Sequence, residues 1–264
     1  MTKPQKQHIV IIGCGNVAWH LAKHLCSLKK FEISVYNHKA NKALNDFKTQ
    51  LNCNTYIGLN EIITGANFYF ICVSDSHISS VSKKIIPFNK ESIVVHTSGS
   101  MVIEAIKTNN YCKAVFYPLQ TFSKNDTINW KKIPILIGAN NNHTFKLVTR
   151  LAKLFSKHTL QVNYNQRLHI HLAAVLVNNF TNALYASASH QLKRVNIDFK
   201  ILLHLIQQSI FKLNTLTPLE AQTGPAKRHD ELVIKKHVKL LKTDRDLKKI
   251  YTHLTQLIIK QQTH

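Results

Sequence analysis

Between His8 and Leu21 the chain reads HIVIIGCGNVAWHL, an apolar run followed by two glycines one residue apart and a small residue three positions later. Glycines in this spacing let a backbone come close to an anion. Gly13 would permit a tight turn, Gly15 would leave room for a pyrophosphate against the main chain, and Ala18 would allow a helix to pack tightly on a sheet. Asn16 and Val17 would open that helix, whose free N–H groups and positive dipole end then face the phosphates. The alternative is a strand-to-helix turn that binds nothing. Context favours the first reading, because GCGNVA follows a strand pattern, opens a helix pattern and lies at the first crossover of a βαβ unit.

Further positions extend this chemistry. A dinucleotide ribose is usually held by an acidic residue at the end of the second strand, which would repel a 2′-phosphate. Here the residues are Asn37, His38 and Lys39, with no carboxylate. Cations and an amide suit a phosphate, so the expected cofactor is NADP, with NAD the lesser choice. The other reading of Lys39 is that it begins a solvated helix. Two polar turns, VSDSHI (73–78) and HTSGS (96–100), follow apolar strands and offer Val73, Ser74, Asp75, Thr97, Ser98 and Gly99 to the ribose and nicotinamide half. Asp75 and Ser76 are equally good helix N-caps.

Hydride transfer also needs a group that exchanges a proton with the substrate heteroatom. His171, Val175 and Asn179 are four residues apart and would share one face of a helix, with Asn178 at its edge, presenting an imidazole and an amide. The alternative for His171 is a packing or interface histidine. Arg228, in TGPAKRHDE (223–231), could clamp a carboxylate or phosphate, or pair with Asp230 or Glu231. His169 and His171 diverge on a helix and lack carboxylate neighbours, so no metal site is expected.

The elements that must position these residues alternate in type. Strands are expected at 8–12, 32–37, 67–74, 92–98, 113–119, 133–139 and 159–163, and helices at 16–29, 42–51 and 143–155, the pattern of a doubly wound α/β sheet covered on both faces. After residue 164 the texture becomes helical. Residues 165–194 can run as one helix of about eight turns, followed by helices at 199–213 and 244–261. Two domains follow: residues 1–163, binding the dinucleotide, and an all-α domain, 164–264, for substrate and dimerisation. Its long amphipathic helices predict a homodimer.

Composition sets outer limits. The 264 residues are 44% hydrophobic, enough for one large core or two smaller ones. No apolar run is long enough to span a bilayer, and MTKPQKQ lacks a signal-peptide core, so a soluble cytoplasmic protein without membrane partners is expected. Five cysteines without C-x-x-C spacing read as reduced thiols. The formal charge of +22 comes from lysines spread along the whole chain rather than from a basic arm. Nucleic-acid binding is therefore not the favoured reading.

Taken together, GCGNVA, CVSDSHI, HTSGS, YPLQTFS, HIHLAAVLVNNF and TGPAKRHD resemble, across nearly the whole chain, a bacterial two-domain family that joins a Rossmann-like domain to the helical domain of unknown function 2520. Its members are described as NADP-dependent oxidoreductases, related to pyrroline-5-carboxylate reductases, F420-dependent NADP reductases and β-hydroxyacid dehydrogenases. The resemblance implies that the helical domain completes the active site, usually in a dimer. AAVLVNN (173–179) is similar to the AAKxxNN of hydroxyacid dehydrogenases, with Val175 in place of the catalytic lysine. That departure weighs against hydroxyacid chemistry but keeps Asn179 as a substrate-orienting amide. His171 matches a histidine of the unknown-function family and is the expected proton donor. TGPAKRHDE resembles GPxxRGD, with His229 in place of glycine. The reading is reduction of a C=O or C=N bond in a small anionic metabolite. The competing reading, which the missing lysine supports, is a non-catalytic NADP(H)-binding sensor or scaffold.

Overall fold

The apolar runs become strands because a parallel sheet buried on both faces leaves no polar side for alternation. The computed structural model describes residues 6–59, 62–87, 89–109 and 112–262; the leading MTKPQ, part of the signal-peptide reading, lies outside them. Strand β1 (Gln7–Ile12) leads through Gly13 into α1 (Asn16–Ser27), and β2 (Phe31–Asn37) into α2 (Lys42–Leu51). A short edge strand, β3 (Asn54–Ile57), follows, then β4 (Phe68–Ile71), a helical turn running into α3 (Ile78–Ser82), and β5 (Ile93–His96). Next come β6 (Lys113–Pro118), β7 (Ile135–Ala139), α4 (Asn142–Ala152) and β8 (Thr159–Gln161).

The eight strands are ordered β3-β2-β1-β4-β5-β6-β7-β8. All pairs are parallel except β6 with β7. The connection between those two carries no crossover α-helix, only a 3-10 turn at Trp130–Lys132, so the chain returns antiparallel. Order reverses between β1 and β4, which opens a crevice at their carboxyl ends. Two apolar layers cover the sheet. One includes Ile9, Ile11, Leu21, Leu25, Phe70 and Phe116, and the other Val10, Ile12, Tyr69, Ile71 and Ile78. The edge strand β3 had no periodic signal of its own, which its exposed pattern explains.

Helix α5 (Tyr164–Ala174) opens with a capping box, Asn163 accepting from the Gln166 N–H and Gln166 reaching back to the Asn163 N–H. The expected single helix over 165–194 is not uniform. Residues Val175–Phe180 form a π-helical turn before α6 (Thr181–Lys193). Because such a turn closes i→i+5 bonds, the four-residue spacing of His171, Val175 and Asn179 no longer defines one α-helical face. Contacts divide the chain within this turn, into Met1–Asn178 and Asn179–His264, whereas the change of composition falls near residue 164.

The second unit continues with a 3-10 turn (Phe199–Leu202) leading into α7 (Leu203–Lys212), then α8 (Glu231–Leu240) and α9 (Arg245–Gln262). Helix α8 was missed because its sequence ELVIKKHVKL follows directly on a Gly-Pro break read as a loop. Among its described residues the second unit buries few apolar side chains, Ala226 and Leu241, while Ile201, Leu205, Phe211, Leu232 and Leu240 are exposed.

Gly13 is the most constrained backbone position of the sheet. Its φ is +108°, and a Cβ built there would lie 2.3 Å from the Cys72 carbonyl oxygen. Gly13→Ala is expected to cost about 3 kcal/mol of stability, from left-handed strain and displacement of β4. Urea denaturation showing a loss below about 1 kcal/mol would contradict this account.

Candidate functional site

The crevice predicted by the strand order is a cavity of about 650 Å³. Gly13, Gly15, Asn37, His38, Val73 and Ser74 line it, all expected from the sequence. Gly15 is the N-cap of α1, and a Cβ built on it meets nothing within 4 Å, so this backbone faces open space. No side chain caps α1, and its first turn holds no acidic residue. Its N–H groups and positive end are thus left for a ligand. An open glycine cradle at an uncapped helix start fits the pyrophosphate of a dinucleotide.

Other expected residues act one step removed. The Asn16 amide donates to the Phe122 carbonyl at 2.9 Å, Val17 packs on the core and Ala18 is fully buried, the close helix-sheet contact its size allows. Asn37 is buried and its amide donates to the Lys39 carbonyl at 2.8 Å, so it shapes the turn that presents the exposed His38 and Lys39. The structure adds Asn41, Leu59, His77, Ser80 and Lys84 to the cavity wall. Asn41 caps α2 and its amide also donates to the Cys14 thiol at 3.5 Å, tying the glycine loop to the next helix. Sequence reasoning passed over Lys84 because it follows α3, a helix too short to show a period.

Beyond β4 and β5 a second cluster forms. Ser100 donates to the Asp75 carboxylate, and Ser98 Oγ accepts from the N–H groups of Ser100 and Met101, each at 3.1 Å. Thus Asp75 joins the two loops through Ser100, Ser98 closes its own loop, and Thr97 is half-buried beside them. His96 is fully buried, and its Nδ1 accepts from the Ser98 N–H at 3.2 Å. Burial first, and then the Arg167 guanidinium, push its pKa down to about 4. Arg167 itself is buried and donates to the Met101 carbonyl.

His171 lies against this cluster. Its Nδ1 is 3.0 Å from the Tyr117 hydroxyl, the rings meeting edge-on with centroids 5.8 Å apart. A Cβ at Gly99 would fall 2.7 Å from that nitrogen, so the glycine leaves the slot the imidazole occupies. Tyr117 escaped the sequence reading because it is 54 positions from His171, although the YPLQTFS motif contains it. Burial raises the pKa of the phenol.

In the second unit Asn178's neighbour Asn179 is exposed, as is Arg228. Asp230 caps α8 by accepting from the Val233 N–H at 3.1 Å, and Glu231 pairs with Lys235. Among the described residues no ion pair joins Arg228 to either acid. His229 takes φ +53°, a left-handed conformation that glycine adopts more readily.

Two family models match the chain: NADP oxidoreductase coenzyme F420-dependent over residues 8–99, and domain of unknown function 2520 over 133–258. The solved structure of a "putative NADP oxidoreductase" from Bacteroides fragilis is 32% identical, with 97% of this chain and 98% of that one covered and a TM-score of 0.91. The chain belongs to this family. Members pair an NAD(P)-dependent Rossmann-like domain with a helical region. At lower identity the fold alone is shared. A Thermotoga maritima protein matches at 19% identity over 97% of this chain and 98% of its own, with a TM-score of 0.71. Pyrroline-5-carboxylate reductase of Coxiella burnetii matches at 14% over 98% of each chain, with a TM-score of 0.57. No curated protein matches. Among the described residues no group of His, Cys, Asp or Glu is arranged to hold a metal, and no helix is long and apolar enough to cross a membrane.

The buried His96 makes the site sensitive to acid. An unfolded chain takes up its proton as pH falls through about 6.5, whereas the folded site resists until about 4. Stability contributed by the neutral ring is therefore lost between those values and level above them, by about 3 kcal/mol in full. His96→Gln should flatten this part of the stability-pH curve relative to wild type; parallel curves between pH 4 and 6.5 would show that His96 titrates normally.

Proposed function

We propose that this chain is an NADP-dependent oxidoreductase that reduces a C=O or C=N bond of a small anionic metabolite. The observation that carries the reading is one edge of one sheet holding both an open glycine cradle and a seated imidazole: Gly15 after β1, and His171 against Gly99 after β5 and Tyr117 on β6. The bound nicotinamide would supply the hydride. Gly13 and Gly15 would hold the pyrophosphate on the start of α1. His38 and Lys39, with no carboxylate near the end of β2, would receive the 2′-phosphate. Val73, Ser74, Thr97 and Ser98 would flank the ribose and nicotinamide half. His171 would carry the proton for the substrate heteroatom, Asn179 would orient the substrate, and Arg228 would anchor its negative group. Val175, where hydroxyacid dehydrogenases place lysine, directs the reading away from their reaction.

The partner we assign to the helical unit is a second copy of the chain. Its exposed Ile201, Leu205, Phe211, Leu232 and Leu240 lie on three successive elements, and burying them against a twin removes apolar area that the monomer leaves in water. Light scattering should report a dimer at micromolar concentration, and a monomer there would defeat this assignment.

Charged hydrogen bonds to the 2′-phosphate should favour NADPH over NADH by about 10- to 100-fold, a preference that shrinks as salt rises. In calorimetric titration Lys39→Ala should weaken NADPH and spare NADH, and Gly15→Val should block both. Equal wild-type affinities would overturn the NADP assignment. With small 2-oxo acids and cyclic imines as substrates, His171→Ala should lower NADPH turnover by about 10²–10⁴-fold. Tight NADPH binding with no turnover on any such substrate would favour a sensor or scaffold.

A further inference from the structure

We propose that Tyr117 is the positioning residue of the site: its hydroxyl oxygen accepts the Nδ1–H of His171 and so makes Nε2 the atom that carries and releases the proton. The proposal rests on the reading of His171 as proton donor and adds which nitrogen works and what fixes it. Three observations support it. Tyr117 Oη and His171 Nδ1 are 3.0 Å apart, a hydrogen bond of ordinary length. Tyr117 is paired with Leu136 of β7 at the carboxyl end of β6, so the sheet anchors the phenol while α5 supplies the imidazole. The backbone of Gly99 closes the third side. A side chain there would come within 2.7 Å of His171 Nδ1 and 2.8 Å of Tyr117 Cζ, so both rings pack directly on that backbone.

The direction of the bond follows from the chemistry of a proton donor. A neutral imidazole protonated at Nε2 would leave an imidazolate on giving that proton up. In an imidazolium whose Nδ1–H is held by an acceptor, the proton free to leave is the one on Nε2. In the proposed step the Nε2–H bond breaks and its proton passes to the substrate oxygen or nitrogen, which takes up the electron pair of the C=O or C=N π bond, while the carbon would receive the hydride that a bound nicotinamide supplies. The ring is left neutral with its proton on Nδ1, still donated to Tyr117, and is recharged from solvent at Nε2. The phenol keeps its own proton throughout, in keeping with the burial that raises its pKa. Tyr117 thus orients and does not itself transfer.

Histidine-labelled protein tests this through the ¹⁵N shifts of the rings, read above about pH 8, where imidazoles are ordinarily neutral. The His171 signal among the 16 histidines is identified by its loss in His171→Gln. Wild type should show His171 protonated at Nδ1. Tyr117→Phe, which removes only the oxygen, should revert it to the Nε2–H form that an unconstrained histidine favours. Turnover in Tyr117→Phe should fall about tenfold, with KM and NADPH affinity within about twofold, since one hydrogen bond is removed. A wild-type ring protonated at Nε2 overturns the proposal even if the variant does not fold, and so does an unchanged tautomer in a folded Tyr117→Phe. If the tautomer switches as stated while His171→Ala retains full turnover, the hydrogen bond is as proposed and the catalytic reading of His171 is what fails.

Discussion

The structure turns on the contact of Gly13 with the Cys72 carbonyl. At the end of β1 the chain must serve two neighbours at once: the Gly13 N–H donates to the Tyr36 carbonyl of β2, and the Ile12 carbonyl accepts from the Cys72 N–H of β4, both at 2.8 Å. Only a residue without a side chain can pass between them, and only a positive φ aims the next residues out of the sheet. From that turn come the uncapped start of α1, the crevice between β1 and β4, and the exposure of Gly15 to it. The anion cradle is a consequence of how the sheet changes direction.

Carboxylates are scarce in a chain with 35 basic and 13 acidic side chains, and several are spent on architecture. Asp46 takes Lys124 from the β6–β7 connection, Asp75 takes Ser100 and Asp230 caps α8. None of these is left to oppose a phosphate at the end of β2. In the second cluster Arg167 is buried on a carbonyl, and burial together with that guanidinium keeps His96 neutral.

The π turn at Val175–Phe180 separates two regimes of packing. Before it, side chains meet across a sheet and are buried; after it, apolar residues on amphipathic helices remain at the surface.

Much of the first unit was legible because its signals are local. The bounds of α2 followed from its helical pattern, the glycine loop from its spacing, and the missing acid at Asn37, His38 and Lys39 from inspection. The sequence by itself therefore determined the doubly wound class, the cradle and the family. What only the tertiary structure decided depends on contacts between distant positions or on backbone angles. The Tyr117–His171 pair and the Gly99 slot arise because β5, β6 and α5 converge. The π turn breaks an α-helical period that VLVNNF does not advertise, and His229 takes a left-handed conformation that its residue type gives no hint of. Periodicity reports which face of an element is apolar, but the chemistry of a site is set by which elements are brought edge to edge, and that is a property of the packed chain.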